Sequence, residues 1–463
     1  MEIQMKMMTE GKPWRHILRF SLPVLAGSLL QQLYNTVDTI IVGRFAGEAS
    51  LSAVGTTASF TFLFLALAMG FSAGNGVVVA QHYGAGDEKR VRINASAGIL
   101  FMMILGAIAA AAGIFVARPA YTHLVNVPED FLDMTLVYFR IYAAGLIFQF
   151  GYNIIAAILR AVGDSMATLY FLLISSVLNI GLVLLFVAGF HGGVAGAAEA
   201  TVISQAASFI AAYFYMRRKY PIFRFRRSEY KWDSEAVRKT VEVGFPISLQ
   251  LIIVSFGLTF IQRAVNGFGQ TMTASFTVGQ RIEMYLNLPC SAFQTTMATY
   301  TGQNIGAGKI ERVKLGARQT IGISVAMTLV ISALVWIFAG NIIKLFGLSD
   351  EAMVYCLSHL RTIAMINIVL SVYLPLFGVF QGANHSAFPM IVASAALGMR
   401  VFVTYMFRYS TFLGHTVIWW NGIFGFGMGC TITWAYYLSG RWQKGSVIAE
   451  KAKETGEFEN GDT

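Results

Sequence analysis

The sequence predicts an all-α integral membrane protein: twelve transmembrane helices in two pseudo-symmetric six-helix lobes. Three observations lead there. Hydrophobic residues make up 56% of the 463 positions and charged residues 13%, with 36 Phe beside 34 Lys plus Arg, a balance unlike that of a water-soluble domain of this length. Apolar runs long enough to cross a hydrocarbon core, about 20 residues each, recur along the whole chain with short polar breaks. The second half also repeats motifs of the first.

Hydropathy places the spans near 16–43, 51–82, 91–117, 132–160, 166–190, 194–216, 237–266, 272–303, 312–340, 352–382, 387–412 and 416–439. The first run is expected to stay in the mature protein, because polar positions and another span follow it where a cleavable signal would end. Basic residues gather in alternate connections: Lys6, Lys12, Arg15 and Arg19 before span one; Lys89, Arg90 and Arg92 after span two; Lys309, Arg312, Lys314 and Arg318 after span eight; Arg441 and Lys444 after span twelve. The largest group runs from Arg217 to Lys239, between spans six and seven. The opposite connections carry acids such as Glu129, Asp130, Asp133, Asp350 and Glu351. Retention of Lys and Arg on the cytoplasmic side explains the net charge of +10 without nucleic acid, and predicts both termini to be cytoplasmic.

Cys290, Cys356 and Cys430 are isolated, so neither a disulfide framework nor a thiolate metal site is expected. No histidine falls near the middle of a predicted span, which argues against a histidine relay or haem ligation. No cofactor is expected.

The repeat is visible in QHYGAGDEKRV at 81–91 and QNIGAGKIERV at 303–313, which share Gln, Gly, Ala, Gly, Arg and Val in register. FSLP at 20–23 and VGFP at 243–246 both set a Pro near the start of the first span of each half, and LRAVGDS at 159–165 corresponds to FQGANHS at 380–386. Six spans per half put both halves in the membrane in the same orientation. The expected organisation is an N-terminal lobe over 1–216, a basic cytoplasmic linker over 217–236, a C-terminal lobe over 237–440 and a polar cytoplasmic tail over 441–463. Repeated bundles of this kind alternate access to a cavity; a channel needs no duplicated lobes.

Span one carries the polar residues that point to chemistry. Gln31, Tyr34, Asn35 and Asp38 follow the i, i+3, i+4, i+7 spacing of one helical face. An Asp at a helix centre costs about 2.5 to 3.5 kcal/mol on the insertion scale, so Asp38 needs partners. Counted from the outer ends of their spans, Asp38 lies roughly 8 Å deep, Thr201 roughly 10 Å and Asn179 roughly 16 Å, depths compatible with one site. Ala197, one turn from Thr201, could add a backbone carbonyl. Such a hard-oxygen set suits a small alkali cation. The same acid could instead take up a proton, or merely cross-link helices. Gln149 and Asn153 share a face of span four and either extend this network or bond between helices. Glu283 and Arg400 lie within spans of the second half and are expected to pair.

The chain resembles a bacterial member of the multidrug and toxic compound extrusion (MATE) family. The resemblance rests on LLQQLYNTVDTIIVGRF at 29–45, the ILRAVGDS turn, GGVAGAAEATVISQ at 192–205, GFPISLQ at 244–250 and TGQNIGAGKIERV at 301–313, in order along nearly the whole chain. It implies a monomeric two-lobe antiporter of the bacterial cytoplasmic membrane that expels small organic, often cationic compounds while admitting Na⁺ or H⁺. Asp38 matches the family's coupling acid, and Asn179 and Thr201 match its neighbours. Related transporters often carry a second acid one turn beyond that Asn, where this chain has Val183; Glu199 projects to nearly the opposite side of its helix from Thr201.

Two other functions stay in view. A lipid-linked precursor flippase of a related superfamily would need cations lining a cavity, for which Arg263, Arg281 and Arg400 are the candidates. An integral membrane enzyme would need an assembled acid, base or metal group, and HExxH and GKS/T phosphate loops are absent from the sequence.

Overall fold

The computed structural model describes residues 7–344, 346–409 and 414–445. Lys6 and the tail from 446 onward lie outside them. Among the described residues the chain forms twelve α-helices and no strand. They are α1 (Pro13–Gly84), α2 (Glu88–Pro119), α3 (Glu129–Ala144), α4 (Leu146–Ala161), α5 (Ser165–Val183), α6 (Gly193–Lys219), α7 (Ser234–Asn266), α8 (Gln270–Gly306), α9 (Ile310–Lys344), α10 (Asp350–Gly382), α11 (Ala387–Phe407) and α12 (Val417–Leu438).

Helices and crossings do not correspond one to one. Spans one and two, expected as separate helices, form the single run α1, broken at Gly47 with φ 85° and ψ 173°. Nothing lies near a Cβ built there, so the glycine serves a backbone conformation that L side chains rarely adopt. Span four, expected as one helix, is α3 and α4 bent by 44° at Gly145, where a Cβ would meet Val202 Cγ2 at 2.4 Å. The two limbs of α1, α2, the α3/α4 pair, α5 and α6 correspond to the six spans expected of the first half and α7 to α12 to those of the second; among the described residues eight helices, with α1 counted once, are long and apolar enough to cross a membrane, nine with the α3/α4 pair.

The chain forms two compact units: one takes Leu22–Ser248 together with Met7, the other Met8–Ser21 together with Leu249 onward. The division falls inside α1 and α7. In consequence, the segment leading into each half's first helix is held in the unit built mainly from the other half. The repeat motifs do the holding. In the second unit, Gln303 Oε1 accepts from Met8 N–H (2.8 Å), Lys309 donates to Thr9 O (3.0 Å), and the Arg312 guanidinium donates to the carbonyls of Met8, Glu10 and Gly11 (3.1, 2.6 and 2.7 Å). In the first unit, Arg90, the in-register counterpart of Arg312, pairs with Glu235 in the first turn of α7 (2.9 Å). Arg92 there donates to the carbonyls of Ile222 and Arg224 and to Glu229. Close helix approach supports the same dockings: a Cβ on Gly74 would meet Gly244 N at 2.5 Å.

A second fixture lies at the turn into α5. Asp164 accepts from Ala167 N–H with Oδ1 (3.2 Å), capping α5. Its Oδ2 accepts from Tyr215 (3.0 Å), Lys219 (2.8 Å) and Tyr220 (2.7 Å) at the end of α6. Burial alone would raise this carboxyl; the hydrogen bonds from Lys219 and Tyr220 and the Lys219 charge outweigh it and hold the pKa below the usual aspartate value.

Candidate functional site

The face that carries Asp38 belongs to the first limb of α1, where the limb packs into an apolar cluster of the first unit. That cluster joins Ile41 and Val42 of α1, Tyr138 of α3, Val183 of α5 and Ala197, Ala198 and Ala200 of α6, with Val37 against it. Thr36 and Thr39 are satisfied within α1, donating to Gln32 O (2.9 Å) and Asn35 O (2.8 Å). Asp38 is not: its Oδ1 is buried without any hydrogen-bond partner.

The same cluster positions Asn179 on α5 and Thr201 on α6. Asn179 is 3% exposed. Its Nδ2 lies 3.5 Å from Thr201 Oγ1, at the limit of a hydrogen bond, and Thr201 Oγ1 donates to Ala197 O at 3.0 Å. The sequence-derived trio Asn179, Thr201 and Ala197 is therefore brought together by contact. Asp38 shares their apolar surroundings without a direct hydrogen bond to any of them. Asn179 Oδ1 is, like Asp38 Oδ1, buried and unpartnered. Both atoms can only accept, so a proton on the carboxylate or a cation between oxygens is the chemistry that would satisfy them. Val183 is fully buried and adds an apolar wall.

Tyrosines border this region. Tyr34 and Tyr138 lie within electrostatic range of the Asp38 carboxylate. The rings of Tyr138 and Tyr142 stack at 6.5 Å with planes 8° apart, and Tyr142 donates to Gln149 Oε1 at 3.1 Å. Asn153 donates to Gln149 O of its own helix at 2.8 Å. Gln31 and Asn35 form no side-chain hydrogen bond among the described residues. Sequence reasoning passed over Tyr138 and Tyr142, although their spacing to Gln149 and Asn153 is that of one helical face and could have exposed them.

In the second unit, Glu283 and Arg400 make no ion pair within 4.0 Å among the described residues. Arg400 donates from Nε to Asn421 Oδ1 at 2.8 Å and sits 4.7 Å over the Phe426 ring. Glu283 has His359 Nε2 at 4.0 Å, and that imidazole lies against Phe276 (5.3 Å) and Trp419 (4.7 Å), whose own rings are 6.3 Å apart. His359 lies toward one end of its span, yet it is 1% exposed. Among the described residues no group of three or more His, Cys, Asp or Glu side chains could hold a metal ion.

A family model described as MatE matches residues 23–185 and 246–406 of the sequence, one stretch in each half, beginning at the two equivalent prolines. The chain belongs to the MATE family. It is 28% identical over 450 residues to a probable multidrug resistance protein, YpnP, of Bacillus subtilis, covering 96% of this chain and 99% of that one. The multidrug export protein MepA of Staphylococcus saprophyticus is 24% identical, covering 88% of this chain and 90% of its own length. Among solved structures, an outward-facing multidrug resistance MATE transporter superposes with a TM-score of 0.87 at 25% identity, covering 94% of this chain and 98% of the other. A transporter from Pyrococcus furiosus, whose binding pocket is described as having reversed polarity, superposes with a TM-score of 0.88 at 25% identity, covering 94% and 97%. As a MATE protein the chain is a multi-pass membrane transporter of the multidrug efflux type and not an enzyme.

Proposed function

We propose that this MATE protein is an antiporter of the bacterial cytoplasmic membrane. It exchanges small organic, often cationic compounds for Na⁺ or H⁺ at Asp38 and works as a monomer with both termini in the cytoplasm. The observation that carries the reading is the pair of buried oxygens, Asp38 Oδ1 and Asn179 Oδ1, that lack a donor among four crossings packed on one apolar cluster. Neutralising the carboxylate changes the cost of burying it, so ion or proton occupancy and substrate occupancy favour different arrangements of the lobe. Antiport then needs only that the two ligands prefer different states. Asn179, Thr201 and the Ala197 carbonyl supply the remaining oxygens, and Tyr34 and Tyr138 offer ring faces to an organic cation.

A flippase of lipid-linked precursors would need guanidinium groups free to hold a pyrophosphate. Arg400, the most buried candidate, is already engaged by Asn421 and Phe426, which favours the carboxylate reading. The test is drug resistance in cells expressing the Asp38→Asn variant at native level. Resistance is expected to be abolished while the protein remains in the membrane; native resistance at matched expression would refute the assignment.

A further inference from the structure

The stretch from Arg217 to Lys239, which joins the end of α6 to the start of α7, carries nine cations, and the fold uses them unequally. Arg217 donates to Tyr213 OH (3.2 Å) and Phe225 O (3.3 Å), and Arg224 to the carbonyls of Arg217 (3.1 Å) and Arg218 (3.3 Å). Lys219 is held by Asp164 (2.8 Å), Lys239 by Glu235 (3.2 Å) and Arg238 by Glu242 (3.5 Å). Arg218, Arg226, Arg227 and Lys231 are exposed and form no ion pair among the described residues. The local acids are taken: Glu229 by Arg92 and the Arg226 N–H, Asp233 by the Ala236 N–H, Glu235 by Arg90 and Lys239. Retention of positive charge in the cytoplasm explains the sign of this segment but not its order. Ile222, Phe223 and Phe225 are buried in the apolar core of the first unit, and Tyr213 and Tyr230 share a hydroxyl contact of 2.7 Å, so the free cations are presented on a fixed scaffold.

Trp232 indicates what they face. It is 53% exposed and meets Phe101 of α2 edge-on at 6.3 Å, about 13 Å of helix beyond Arg92. Phe101 shares a helical face with Ile104, Ile108 and Phe115, which are 41%, 58% and 81% exposed. So apolar a row on a membrane-crossing helix marks the lipid side. An indole beside it, with Lys231 its neighbour in the chain, is the arrangement of a membrane-interface anchor.

We propose that Arg218, Arg226, Arg227 and Lys231, with Trp232 as the apolar foot, bind the phosphate headgroups of anionic lipids in the cytoplasmic leaflet. Each cation near a charged leaflet strengthens such binding by about fivefold. A soluble acidic partner would have no use for the indole set against the lipid-facing row.

The test places the full-length transporter in nanodiscs of phosphatidylcholine and phosphatidylglycerol with bromine on the acyl chains of one lipid or the other. The emission of Trp232 is taken as the difference between native protein and Trp232→Phe. Brominated phosphatidylglycerol is expected to quench it more strongly than brominated phosphatidylcholine at the same ratio. That preference is expected to vanish in the variant Arg218→Gln, Arg226→Gln, Arg227→Gln, Lys231→Gln. If the fourfold variant fails to insert, Arg226→Gln with Arg227→Gln is read instead, with partial loss expected. Equal quenching by both lipids in native protein, as a protein partner at this surface would give, overturns the proposal. So does a preference that survives the substitutions.

Discussion

On the function proposed above the chemistry turns on Asp38, and the side chains around it can be separated by experiment. Asn179→Ala removes an orphaned acceptor and is expected to weaken apparent ion affinity roughly tenfold, measured as the ion concentration giving half-maximal efflux, while the α5 to α6 packing survives. Thr201→Val deletes a hydroxyl whose own bond runs to Ala197 and is expected to have a smaller effect of the same sign. Asp164 permits a different test, because it lies outside the membrane crossings. Its folded pKa is below the unfolded one, so its contribution to stability is present above the usual aspartate pKa of 3.8 and is lost as pH falls through the lower folded value. Asp164→Asn is therefore expected to lower the melting temperature in detergent at neutral pH. The gap from native should close only in acid; a gap that stays constant across that window would show that the carboxylate charge is not what stabilises the turn. At this scale Asp38, Asn179 and Thr201 stand out in the sequence as polar groups against apolar runs. Tyr138 and Tyr142 were passed over because tyrosine is unremarkable among 36 Phe and 19 Tyr, and only their helical spacing to Gln149 and Asn153 marked them.

Among the elements, the repeat motifs were legible as repeats but not as clamps. The shared Arg of the two motifs reads as cytoplasmic charge by composition, yet Arg90 grips the start of α7 and Arg312 the chain entering α1. No local pattern could reveal that each motif holds the leading segment of the opposite half, since the partners are more than a hundred residues apart. The account predicts that Arg90→Glu and Glu235→Arg each reduce transport, and that the double exchange restores it. Absence of rescue, with topology intact, would mean that Arg90 acts only as retained charge. Gly74→Val is expected to be more severe than either, because its Cβ would enter the α7 backbone at Gly244. The break at Gly47 and the bend at Gly145 were likewise missed. Hydropathy counts apolar residues and is blind to backbone dihedrals, so one long bent helix and two separate ones look alike to it.

For the molecule as a whole, the count of crossings, the halves and the family follow from composition, periodicity and ordered motifs. Membrane solvation leaves a helical chain few alternatives. Coupling is a property of two states, which no single arrangement of buried oxygens displays. Its direct measure is substrate efflux from proteoliposomes holding native protein or Asp38→Asn, with a Na⁺ gradient alone, a pH gradient alone, or neither. Native protein is predicted to move substrate against its gradient under at least one ion gradient, and the variant under none. Gradient-driven efflux by Asp38→Asn at the native rate would contradict the account.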